Sequence, residues 1–245
     1  MNDIKEYLEN LELASPKTKK GFVDYSMYES TTDSPSFLNF KSLNSFSPGV
    51  TKQTQEDVLD SLLLAQRAAT KKYPEDNQVY DWYKMYFTVL QRIGWLVNQK
   101  DFSTVEQKSS KFELDKAIFS LLQDLVTGQQ IKILMRSIEL LKSLGEDDKR
   151  LLAFETNTHA HERGNFQLGM AETKNGHVTV LGSGFILQSQ KKISKILFLK
   201  FDKNMISMKF NFFSADLVLA EYDKNRQFIK DKLGDSSHFI ASLDL

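Results

Sequence analysis

The hydrophobic period of this chain changes near Gly145, and that change constrains the fold more than any motif does. From Thr54 to Leu144 the apolar residues recur at helical spacing. From Leu151 to Leu219 they fall in short β-branched and aromatic runs cut by Gly and Asn. A helical half followed by a β half predicts an α+β fold. An N-terminal helical bundle should pack on a mostly antiparallel C-terminal sheet, closed by one or two helices.

Reading along the chain, Ile4, Leu8 and Leu11 predict a short amphipathic helix that Ser15-Pro16 ends. Residues 1–53 are expected as a partly irregular arm, because 15–53 are rich in Ser, Thr, Pro and Asn with scattered aromatics. Residues 54–245 are expected as one α+β domain, with a helical layer over 54–145, a β-rich layer over 151–219 and C-terminal helices over 220–245. Thr54 is the expected cap of the first long helix, and Tyr73-Pro74 its stop. The next helix is expected from Asp76 to Val97, apolar almost all round and therefore central. Ser109 or Ser110 should cap a helix through Val126, and Ile131 to Leu141 should form another that ends at Gly145.

Beyond the acidic triplet Glu146-Asp147-Asp148, Leu151 to Phe154 reads as a short strand. Asn175-Gly176 predicts a hairpin between Phe166–Thr173 and His177–Leu187. Ile193 to Phe201 reads as an interior strand, and Ile206 to Phe212 as a strand with one wet face. Tyr222 to Leu233 reads as a helix, followed by a short one carrying Phe239, Ile240 and Leu243.

Composition narrows function by exclusion. The chain has no cysteine, which removes disulfides, thiolate nucleophiles and Cys-bound metals. Its 32 basic residues balance 32 acidic ones, so no nucleic-acid partner is expected. No N-terminal signal peptide is visible, and Arg92 interrupts the most apolar helical stretch far short of the ~20 residues a membrane span needs. A soluble protein is expected, with localisation otherwise open and a signal-independent route the one available for export.

Glu155, His159, His161 and Glu162 form the cluster closest to a metal site, since i and i+2 share a face on a strand. Two ordinary histidines at a polar strand end are the preferred reading, so no metal and no cofactor is expected. Gly182-Ser183-Gly184 lacks the spacing and the strand-to-helix setting of a nucleophile elbow. Glycines inside a strand more often mark a bend or a close approach of backbone. No catalytic residue is expected, and an enzyme is the less favoured reading.

The run Asp57-Val58-Leu59-Asp60-Ser61-Leu62-Leu63-Leu64-Ala65-Gln66, followed by Trp82-Tyr83 and Gly94-Trp95, resembles a group of bacterial and fungal proteins related to the Erwinia virulence factor. So do Ile193 to Phe198, Lys232-Leu233-Gly234 and Ala241 to Asp244. The resemblance spans residues 57–245. It implies a mixed α and β fold and a role in interaction with a host, at membranes. Acylation of a cysteine, which it would also imply, cannot be carried over to a chain without one.

Two functions are therefore expected. One is a non-enzymatic, host-directed virulence or toxin-like protein acting through a host membrane or lipid, with the hairpin Phe166 to Leu187 as the mobile element. The other is a soluble module that holds an apolar ligand or a protein partner between helices and sheet. Trp82, Phe87, Trp95, Phe185 and Phe198 are the candidate contact residues for either. Oligomeric state is left open.

Overall fold

The computed structural model describes residues 2–16, 32–106, 110–174, 176–196, 199–236 and 238–244. In chain order the first half holds α1 (Asn2–Asn10), β1 (Ser36–Asn39), β2 (Ser42–Phe46), α2 (Lys52–Lys72), α3 (Val79–Arg92), β3 (Trp95–Gln99), β4 (Ser103–Thr104), β5 (Lys111–Glu113), α4 (Leu114–Leu122) and α5 (Gly128–Ser143). The second half holds α6 (Lys149–Thr158), β6 (His159–Ala160), β7 (Arg163–Lys174), β8 (His177–Ser189), β9 (Lys200–Asp202), β10 (Ile206–Val218), α7 (Leu219–Tyr222), α8 (Arg226–Leu233) and β11 (Ile240–Ser242).

The predicted hairpin around Gly176 is the backbone of the fold. Gly176 has φ +77°, the left-handed conformation that such a tight turn demands. β7 pairs with β8 from Arg163↔Gln188 to Lys174↔His177, and β8 pairs with β10 along its whole length. The sheet runs β11-β1-β2-β7-β8-β10-β3, with β4 added on β10 and β6 on β7. It is antiparallel except where β2 lies parallel to β7. β5 and β9 form a separate two-stranded ribbon.

Because side chains alternate along a strand, the sheet feeds two cores. Phe166, Leu168 and Met170 of β7 and Phe185 and Leu187 of β8 point to the side covered by α4, α5 and α6. Val178, Val180, Phe213, Ala215 and Leu217 point to the side covered by α1, α2, α3 and α8. The helices expected as one bundle thus divide between the two faces. The α+β class and the antiparallel character of the sheet hold as expected.

Five local expectations differ from what is found. Within the expected arm, residues 36–46 form β1 and β2, which are interior strands of the sheet. Their Ser and Asn residues look like a loop but are buried and hydrogen-bonded, except that Asn39 Oδ1 has no partner among the described residues. Ser36 and Ser45 share hydrogen bonds with Ser137 at 2.7 and 2.6 Å, and the Asn39 amide donates to the Leu59 carbonyl at 2.9 Å. The helix expected to reach Val97 ends at Arg92, because Gly94 has φ +103° and turns the chain into β3. Leu151 to Phe154 is helical, started by Asp148, whose carboxylate accepts from the Arg150 amide at 2.8 Å. The described residues of Ile193 to Phe201 do not form an interior strand. Ile193, Ile196 and Leu199 are instead buried against the apolar face, and among the described residues of this stretch only Lys200–Asp202 is extended. The expected last helix is the strand β11, paired with β1. Smaller shifts affect the caps: Thr51, not Thr54, caps α2, and Ser109 lies outside the described residues.

The Asp148 cap also links layers, since Arg150 Nη1 donates to the Ser242 carbonyl at 3.1 Å and joins α6 to β11. Burial opposes charge on Asp148, but the Arg150 hydrogen bonds outweigh it and hold the carboxyl below its ordinary value of 3.8. A carboxyl lowered on folding adds stability that is present above its unfolded value and fades as pH falls. Asp244 has the opposite sign: burial outweighs its bond from the Ser36 amide and the Arg136 charge, and raises it. Urea unfolding followed from about pH 6 to about pH 3 should lose stability below about pH 4, and Asp148→Asn should flatten that decline. An acid limb of unchanged slope in Asp148→Asn would overturn this assignment.

Candidate functional site

Large aromatic side chains on a helix need a flat floor if the helix is to sit close to a sheet. Here α3 lays Tyr83, Tyr86 and Phe87 over strand positions that lack side chains. A Cβ placed on Gly182 would stand 2.0 Å from the Phe213 ring, and one on Gly184 would stand 2.7 Å from the Tyr83 hydroxyl. Gly169, opposite Gly182 in the ladder, leaves room for the Asn44 amide in the same way. The expectation of close backbone approach at Gly182 and Gly184 is met. Burial raises the hydroxyls of Tyr83 and Tyr86 well above the ordinary tyrosine range, so both stay neutral. Tyr83 donates to Asn165 Oδ1 at 2.8 Å.

At one end of α3 this packing opens into a cleft of about 350 Å³, between the α2–α3 turn and the ends of β7, β8 and β10. Trp82 forms a wall, its Nε1 donating to Thr70 Oγ1 at 2.9 Å and its ring stacked on Tyr86 at 5.5 Å. Tyr80, 47% exposed, stands at the rim and accepts from Lys209 Nζ at 2.7 Å. Lys41 Nζ lies 5.5 Å from the centre of the Trp82 ring, in cation–π range. Arg163 is held by Gln188, with Nε donating to Oε1 at 2.9 Å. Asn157 also lines the cleft, and its Oδ1 is buried without a hydrogen-bond partner among the described residues.

The expected contact residues do not converge. Trp82, Phe87 and Trp95 are buried on the α3 side of the sheet, and only Trp82 reaches the cleft. Phe185 is buried on the other side, stacked on Phe166 at 4.9 Å. Phe198 lies outside the described residues. His159 and His161 do not share a strand face: His161 has φ +52° in the turn before β7, and His159 Nε2 is engaged by Glu155 Oε2 at 2.7 Å. Among the described residues no three His, Asp or Glu side chains gather as they would around a metal ion. Tyr80, Lys209, Arg163 and Asn157 carried no signal in the sequence, since each stands alone in its own segment.

No protein-family model matches the sequence, and no curated protein matches it. Among solved structures the chain is similar to one described as the Evf virulence factor. That likeness has 11% identity, covers 98% of this chain and 90% of the other, and has a TM-score of 0.40. It is similar also to a delta-endotoxin, at 9% identity over 76% of this chain and 87% of that one, with a TM-score of 0.42. A third is the activated Cyt2Ba monomer from Bacillus thuringiensis subsp. israelensis, at 7% identity over 49% and 72% of the two chains, with a TM-score of 0.30.

Proposed function

We propose that this chain is a non-enzymatic, host-directed, toxin-like protein that acts by engaging a membrane through its three central strands. One observation carries the proposal. β7, β8 and β10 are 12, 13 and 13 residues long and follow one another as antiparallel neighbours. At ~3.3 Å per residue each extends about 40 Å, longer than the ~30 Å hydrocarbon core. Over the half of the ladder away from the Gly176 turn their two faces differ in chemistry. One carries Leu168, Phe185 and Met208, the other Gln167, Gly184 and Lys209. Toward the turn that second face carries Val178, Val180, Ala215 and Leu217. Alternation of an apolar face with a small or polar one is the pattern of strands that meet lipid on one side and water on the other. Among the described residues no helix is long and apolar enough to cross a membrane, so any crossing would fall to these strands. The host-directed setting rests on the sequence resemblance. Vesicles of neutral and of anionic lipid, tested for co-sedimentation and dye release between about pH 5 and pH 8, should bind the protein and leak. Absence of binding to both vesicle types across that range would sink the proposal.

A second reading, a soluble module holding a ligand between helices and sheet, is favoured by the cleft beside Trp82. Its volume of about 350 Å³ falls in the range of small-molecule sites.

A further inference from the structure

The cleft also carries information about what it would hold, and this step rests on the second reading above. Tyr80 offers ring surface at the rim, the buried Trp82 backs one wall, and Ile186 adds an apolar patch from β8. A flat apolar body suits such a wall better than a flexible polar one.

The charges around it are unequally satisfied. Glu75 lines the cleft but is engaged as the cap of the short 3-10 turn before α3, where its side chain accepts from the Gln78 backbone. Asp76 stands in the first turn of that segment, beside the positive end of the helix that follows. Glu75 therefore has a local partner in the backbone, and Asp76 has only the helix dipole beside it. Arg163 and Lys209 have neutral ones: the amide oxygen of Gln188 and the hydroxyl of Tyr80. Neither cation forms an ion pair with a described residue. Two cations held in place by neutral acceptors at the rim of an aromatic-walled cleft are an arrangement for a negative group.

We infer that the cleft binds a flat, ring-containing small molecule bearing a carboxylate, sulfonate or phosphate, its rings against Trp82 and Tyr80 and its anion between Lys209 and Arg163.

Calorimetric titration of the full chain with 1-naphthyl phosphate, and in parallel with uncharged 1-naphthol, tests this. The phosphate should bind with a 1:1 stoichiometry, and 1-naphthol about tenfold more weakly or not at all. Lys209→Met and Arg163→Met, each confirmed as folded by its thermal melt, should weaken the phosphate about tenfold while leaving 1-naphthol unchanged. Both residues are exposed, so neither variant removes core packing. Equal affinity for the two probes would overturn the anionic class yet leave the cleft as a ligand site. Binding of neither probe to folded protein would overturn the cleft reading as well. Phosphate binding that both variants leave unaltered would place the site elsewhere and overturn the assignment to these residues.

Discussion

Arg226→Met is expected to cost about 3–5 kcal/mol of stability, the usual penalty for stranding one charge of a buried pair. Asp57 of α2 is 1% exposed, and Arg226 at the start of α8 grips it from two directions. Arg226 Nε donates to Asp57 Oδ1 at 2.6 Å and Nη2 to Oδ2 at 2.8 Å. Its guanidinium also contacts Asp223, which lies at the surface. The hydrogen bonds to Asp57 raise Arg226 further above its already high ordinary value, so it stays charged at any working pH. Without Arg226 the Asp57 carboxylate keeps, among the described residues, only the Gln53 amide at 3.2 Å. Tyr222 marks how dry the site is, because burial pushes its hydroxyl well above the ordinary range while it bonds to the Asp57 carbonyl at 3.2 Å. The cost is one of desolvation rather than of a lost attraction, and a second variant separates the two. Asp57→Leu combined with Arg226→Met removes both charges and should recover most of the loss. Urea denaturation of the two variants measures the difference. A single variant within about 1 kcal/mol of the parent would show that Asp57 reaches water by another path.

How far the fold could be read in the sequence depended on whether the signal was local. The β7–β8 hairpin was legible because Asn175-Gly176 is a turn signal in sequence between two patterned runs, and Gly176 takes the positive φ that the signal calls for. The α4 and α5 helices were legible through clean apolar spacing. β1 and β2 were not, because Ser36, Asn39, Ser42 and Ser45 are buried polar residues with partners in Leu59, Gln66 and Ser137, far along the chain. β3 was hidden for a different reason. Trp95, Leu96 and Val97 continue the apolar count of α3, and only the positive φ at Gly94 breaks it. The segment from Ile193 to Leu199 has the composition of a strand, yet Ile193, Ile196 and Leu199 are buried as a plug, with Ile196 seated where Gly164 has no side chain. The cleft was invisible for the same reason as β1 and β2. Tyr80, Asn157, Arg163 and Lys209 come from four separate elements, and nothing near any of them in sequence announces the others. Trp82 and His159 were the cleft residues singled out in advance, Trp82 for its size and its helix and His159 for its spacing from His161, neither for its surroundings.

Gly182→Val should cost about 3 kcal/mol, at the upper end of what overpacking a filled core costs. The sign of this change is informative. Valine is favoured in strands over glycine, so on β propensity alone the substitution would stabilise the protein. What opposes it is the Phe213 ring, which would meet the new Cβ at 2.0 Å. That ring cannot swing clear cheaply, because Phe87 stands edge-on to it at 5.0 Å and Tyr86 at 6.3 Å. All three rings are buried under α3. The strain would pass to the contact between α3 and the sheet, the layer that must separate if the central strands are to meet lipid with their polar face open. Phe213→Ala removes the obstructing ring at its own cost of about 3–5 kcal/mol. In the double variant the valine would occupy part of the space that the ring vacates. Its cost should then fall short of the sum of the two single costs by about 1–3 kcal/mol, measured as a coupling energy in denaturant unfolding. Simple additivity would mean that Gly182 is not the floor on which the aromatic layer rests. The same pair tested on vesicles would show whether loosening that layer lowers the barrier to membrane engagement, since strain at the α3 contact should speed dye release in Gly182→Val relative to the parent.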